Sequence, residues 1–118
     1  MSIVAPALFH ILGADEWAAA QAVGWYEPDG FAAEGFVHLS ERDQILRPAN
    51  LLYRGQADLS LLRIDPARLE AEVVYEPGSH GEAELFPHLY GQLNIDAVDD
   101  VIGFPCEPDG SFVLPAGL

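Results

Sequence analysis

The chain has 118 residues, 50% of them hydrophobic and 20% charged, the make-up of one soluble domain with a core of its own. Nineteen acids against five bases leave a net charge of -14, which repels phosphate backbones and anionic lipid and disfavours nonspecific nucleic-acid binding. All five bases are arginine, so a P-loop lysine, a Schiff-base lysine and any lysine nucleophile are excluded.

Val4 to Leu12 is apolar apart from Pro6 and His10, and its short length predicts a mostly buried strand. Gly13 as N-cap, Asp15 and Glu16 in the first turn, an alanine-rich run and Gly24 as a stop predict a helix of about three turns. Glu27 to Gly30 supplies a loop, and Gly35 to Ser40 reads as a second short strand. Ser40, with Asp43 three residues on, is expected to cap a helix from about Glu41 to Tyr53, which Pro48 should kink or break. Asp58 to Asp65 is a leucine-rich strand, Pro66 to Leu69 a turn of helix, Ala71 to Glu76 a strand and Pro77 to Glu84 a polar loop. Leu85 to Tyr90, Val98 to Phe104 and Phe112 to Leu114 suggest further strands, with one helical turn near Asp96.

Early helices and late strands without regular alternation predict an α+β fold with a mixed or antiparallel sheet, spanning residues 1–118 as a single domain. No Gly-x-Gly-x-x-Gly or Gly-x-x-x-x-Gly-Lys is present, so neither of those phosphate-cradling loops is available. No apolar run approaches the roughly 18 residues of a membrane span, and Met1 to Leu12 lacks the basic start of a secretory signal. The expectation is a cytoplasmic protein with no membrane partner. The lone Cys106 has no basic neighbour to activate it and reads as an inert small residue.

Three of the four histidines, His10, His38 and His88, sit inside short apolar segments, whereas His80 lies in a glycine-containing loop and is expected to be solvated. Period-two alternation puts His38 with Phe36 and Ser40 on one face of its strand, and His10 with Leu8 and Leu12 on one face of its own. If the two strands are neighbours, both imidazoles can line one pocket and serve acid-base work. For any single one, the alternative is a core histidine with backbone partners. A trihistidine metal site has the right residue types without a metal-binding spacing. A serine hydrolase built on Ser40 lacks the Gly-x-Ser-x-Gly elbow. Three arginines against two acids make Glu41 to Arg54 net +1 while the rest carries -15. Arg42, Arg47 and Arg54 can meet one compact anion there, or pair locally with Glu41, Asp43 and Asp58.

Phe9-His10-Ile11, Gly35-Phe36-Val37-His38-Leu39-Ser40, Ile64-Asp65-Pro66, Glu76-Pro77 and Phe86-Pro87-His88-Leu89-Tyr90-Gly91 together resemble a family called domain of unknown function 952, over nearly the whole chain. That family looks like a compact member of the ADP-ribosyltransferase fold, in which a split, bent sheet holds NAD in a cleft. The NAD-dependent RNA 2'-phosphotransferases of that fold carry Tyr-His-Gly-Thr and His-Val-His-Leu-Ser strands, which Phe9-His10 and Val37-His38-Leu39-Ser40 resemble. The resemblance implies that His10 binds the adenosine ribose or nearby hydroxyls of NAD, and that His38 and Ser40 line the nicotinamide-ribose side. Ile11-Leu12 departs from the Gly-Thr that follows the first histidine there, and an RNA substrate fits a charge of -14 poorly.

Loss of nicotinamide passes through an oxocarbenium-like sugar that a carboxylate stabilises. Glu76, at the end of a predicted strand, is the leading candidate, ahead of Glu84 in its acidic stretch. The expected catalytic set is His38, Glu76 and His88, with His10, Ser40, Arg42, Arg47 and Tyr90 binding a small-molecule nucleotide, and Tyr90 stacking on a ring. The expected function is binding of NAD or an ADP-ribose-containing ligand, with transfer or hydrolysis at the nicotinamide-ribose bond. The alternatives are a non-catalytic metabolite sensor and the trihistidine metal site.

Overall fold

The computed structural model of the protein describes residues 6–79 and 81–118; the predicted start of the first strand at Val4 and Ala5, and His80, lie outside them. Strand β1, Leu8–Gly13, is buried along nearly its whole length because it is apolar on both faces. It runs into helix α1, Ala14–Val23, which Gly24 ends at φ +91°, a left-handed conformation that costs a residue without Cβ little. Gly13 caps it as expected, its N–H donating to Glu16 Oε1 at 3.0 Å.

Three short elements follow: β2 (Trp25–Tyr26), α2 (Phe31–Glu34) and β3 (Val37–His38). The predicted strand from Gly35 to Ser40 thus shrinks to two residues. Ser40 does not cap the next helix. It forms a backbone bridge with Phe9, two hydrogen bonds of 2.8 Å each, while Glu41 opens a 3-10 turn at Arg42–Gln44. Helix α3 begins only at Leu46 and ends at Leu52, shorter at both ends than expected. Pro48 is its third residue, inside the first turn, where backbone N–H groups have no intrahelical acceptor and a missing donor costs nothing.

Strand β4 (Leu59–Ile64) lies between β1 and β8 (Val98–Gly103), antiparallel to both. Strand β6 (Leu85–Tyr90) lies between β3 and β5 (Glu72–Pro77), again antiparallel. The Phe9–Ser40 bridge links the edges of these two three-stranded sheets. Strand β2 pairs with β7 (Leu93–Asn94), a two-residue ribbon too short to carry a hydrophobic period. The helical turns expected after Asp65 and near Asp96 are 3-10 turns at Pro66–Arg68 and Ile95–Ala97. Phe112 to Leu114 is not a strand: Phe112 is buried and its N–H donates to Asn50 Oδ1 at 2.8 Å.

The two faces of β1 and β4 feed two cores. Leu8, Leu12, Leu62 and Ile64 pack with Tyr26, Val37, Leu39 and Leu89. Phe9, Ile11, Leu59 and Leu61 pack with Ile45 and Ala49 under α3, and with Phe104 and Phe112. The result is the α+β architecture expected from the sequence, with every strand pairing among the described residues antiparallel. No helix among the described residues is long and apolar enough to cross a membrane.

Candidate functional site

Chemistry gathers on one face of the β3–β6–β5 sheet. The register sets His38 opposite His88 and Glu76 opposite Phe86, so strand alternation places these four side chains and Tyr90 on the same side. The other side carries Val37 and Leu89 into the first core. Phe36 covers the first side: its ring stacks on His88 at 4.0 Å and 13°, meets His38 edge-on at 4.8 Å and lies 5.3 Å from Tyr90.

His88 is 2% exposed, and its Nδ1 lies 2.8 Å from Glu76 Oε1. The Tyr90 hydroxyl donates to the same oxygen at 2.5 Å. These two bonds, Tyr90's first and then His88's, hold the Glu76 carboxyl below its ordinary range, so it is ionised at neutral pH. An ionised carboxylate only accepts, so His88 Nδ1 carries the proton of this bond, while Nε2 is buried without a partner among the described residues. His38 is built the other way round: its Nε2 lies 2.9 Å from Glu34 Oε2, and both side chains are substantially exposed. A small pocket of about 70 Å³ lies between His38, Ser40 and His88 on one side and Pro48 and Leu52 of α3 on the other.

His10 does not join them. Because Phe9 and Ser40 are directly opposed, they share a face, and His10, one residue on, points to the other side from His38, two residues back. Its ring lies 5.3 Å from Tyr26, and its Nδ1 donates to the His38 carbonyl at 2.7 Å. Burial pushes the His10 pKa down to about 4, so the ring is neutral at neutral pH, and its Nε2 has no partner among the described residues. The three histidines therefore form no common centre. No group of three His, Cys, Asp or Glu among the described residues is placed to hold a metal ion.

The arginines do not converge on an anion either, and their partners are not the local acids. Arg42 Nε donates to the Leu118 carbonyl at 3.0 Å beside a larger cavity of about 450 Å³, also lined by Phe9, Arg63 and Asp100. Arg47 Nε donates to Glu82 at 3.2 Å, and Arg54 to the Asp109 carbonyl at 3.5 Å. Glu84 accepts from the buried Gln44 at 2.9 Å. Cys106 is half-buried against the second core.

Two residues of the site escaped the sequence reading. Alternation puts Phe36 on the His38 face, but nothing in the pattern marks it as a stacking partner. Glu34 lies before Gly35, whose φ of +84° turns the chain back so that the carboxylate meets His38 four residues on. A turn of that kind has no apolar period to announce it.

The fold is similar to that of the crystal structure of protein CC0527 from Caulobacter crescentus, with a TM-score of 0.81 and 34% identity over 92% of this chain and 94% of that one. The solution structure of CC0527 gives a TM-score of 0.79 at 34% identity, over 95% and 96% of the two chains. No curated protein matches the chain. Residues 11–101 match the family described as protein of unknown function (DUF952), and the chain belongs to that family.

Proposed function

We propose that this chain is an ADP-ribosyltransferase-like domain that binds NAD or an ADP-ribose-containing ligand over the His38–His88 face and breaks the nicotinamide-ribose bond beside Glu76. The observation that carries the proposal is the state of Glu76. One of its oxygens is fixed by Tyr90 and His88, the group is held ionised, and its other oxygen accepts no hydrogen bond among the described residues. Departure of nicotinamide leaves positive charge on the sugar, and a preorganised carboxylate lowers the energy of that charge. Phe36 and Tyr90 flank Glu76 and His88 with aromatic surface suited to a flat ring.

The pocket of about 70 Å³ is far smaller than the roughly 300–1,000 Å³ of sites that enclose a ligand. In this proposal it takes one small group, and the bulk of the dinucleotide lies along the open rim. His10 then carries the His38 backbone from the far side of the sheet instead of touching the ligand.

Thermal unfolding with NAD and with ADP-ribose tests the binding. A ligand at a hundred times its Kd adds about 2.7 kcal/mol, a rise of roughly 10 °C for a domain of this size. No shift with either at millimolar concentration overturns the proposal. A shift with no nicotinamide released from NAD overturns its catalytic half and leaves a metabolite sensor.

A further inference from the structure

Two carboxylate-imidazole pairs stand side by side on the site face, their rings 5.4 Å apart, and they are held by opposite nitrogens. Glu76 takes the Nδ1–H of His88, whose Nε2 is buried without a partner among the described residues. Glu34 takes the Nε2–H of His38, so in the neutral ring the lone pair is on Nδ1, and this side chain is 40% exposed at the wall of the small pocket, next to Ser40. Of the two imidazoles, only His38 is accessible to a proton donor from solvent. Glu34 reaches it from α2, a four-residue helix ended by Gly35 in the left-handed conformation, and the edge of Phe36 bounds the ring at 4.8 Å.

We infer that His38 is the general base that activates the hydroxyl accepting the ribosyl group, and that Glu34 is its positioning residue, fixing the tautomer with the lone pair on Nδ1. The inference rests on the proposed cleavage at Glu76. The step balances as follows: the acceptor O–H gives its proton to His38 Nδ1 as its oxygen bonds to the anomeric carbon, and the C–N bond breaks with its electron pair going to the nicotinamide nitrogen. In plain buffer the acceptor is water, and the products are nicotinamide, ADP-ribose and one proton. Glu34 stabilises the imidazolium that forms, as an orienting carboxylate does for any imidazole base.

The test compares wild type with Glu34→Gln, Glu34→Ala and Glu34→Asp by three readouts: the midpoint shift with ADP-ribose, nicotinamide release from NAD, and the ring-nitrogen NMR spectrum of His38. The expected result is an unchanged shift, a kcat lowered on the order of tenfold or more in the Gln and Ala variants, and partial recovery in Asp. The His38 spectrum should report the Nε2–H tautomer in wild type and a mixture in the Ala variant. Full kcat in Glu34→Ala, or an unchanged tautomer with lowered kcat, overturns the inference while leaving the Glu76 proposal standing. Wild-type protein that binds ADP-ribose yet releases no nicotinamide overturns both. An added alcohol separates acceptors: ADP-ribosyl alcohol appearing alongside free ADP-ribose marks a pocket open to any small hydroxyl, and His38 must be required for both products.

Discussion

His10 and His88 are the two most hidden histidines among the described residues, 7% and 2% exposed, and each has one ring nitrogen bonded and the other without a partner. They differ in what bonds them. His10 donates to a neutral backbone carbonyl inside the first core, and burial keeps it uncharged, with its pKa at about 4. His88 donates to a carboxylate that is itself half-open to solvent and shared with Tyr90. Equal burial therefore says nothing about role: the partner decides. A carbonyl makes a histidine part of the scaffold, whereas a carboxylate links it to a charge that can face a ligand.

Removing His10 should break the scaffold side hardest. His10→Ala leaves a cavity and a His38 carbonyl without its donor, a loss of about 3 kcal/mol, or a Tm drop of more than roughly 10 °C. Below that temperature the midpoint shift with ADP-ribose should survive. A variant that keeps its Tm but loses the shift would place His10 in the site after all.

Acid should reach the same residue without mutation. The His10 pKa is lowered on folding from 6.5 to about 4, so the unfolded chain binds the extra proton first. Stability present above pH 6.5 is lost as pH falls towards 4, by about 3 kcal/mol in all. Glu76, whose pKa is lowered, begins to add its own loss as pH falls through the ordinary carboxylate value of 4.5. Urea unfolding at pH 7, 5 and 4 should show the first window in wild type. His10→Gln, which keeps a donor and cannot titrate, should flatten it.

This contrast between His10 and His88 was only half legible in the sequence. Alternation within a strand was enough to group His38 with Phe36 and Ser40, and His10 with Leu8 and Leu12, because side-chain direction is a local property of extended backbone. Whether the two groups face each other depends on which residue of one strand opposes which of the other. The single Phe9–Ser40 pair sets that parity, and a shift of one residue would have reversed it. The same gap explains the arginines. Their closeness in sequence allows either one shared anion or local pairs with Glu41, Asp43 and Asp58, yet Arg42, Arg47 and Arg54 bond Leu118, Glu82 and Asp109, partners brought by the tertiary fold. Ser40 fits the statistics of a cap, but its backbone instead forms the bridge to Phe9 that links the two three-stranded sheets. The longer strands and α1 were legible because apolar runs and glycine stops act over a few residues.

On the site side, Glu76→Gln should leave stability within about 0.5 kcal/mol, since the group lies at the surface and Gln can still accept from Tyr90 and His88. Nicotinamide release should fall on the order of a hundredfold or more while ADP-ribose still raises the midpoint. Equal rates in both proteins would remove Glu76 from the chemistry and reduce the carboxylate-bound histidine to a second scaffold element.

The smallest effect discriminates most finely. Tyr90→Phe removes one hydroxyl from an exposed side chain, so stability should barely change. That hydroxyl is, however, the foremost cause of the lowered Glu76 pKa, because it hydrogen-bonds the charged carboxylate and gains less from the neutral acid. Without it the pKa of Glu76 must rise, and the acid at which nicotinamide release falls off must move to higher pH while the rate at neutral pH stays near that of wild type. Carboxyl-carbon NMR of Glu76 should show the same displacement. If the pKa rises and the acid fall-off stays in place, the ionised state of Glu76 is not what the reaction needs, and the contrast with His10 would rest on packing alone.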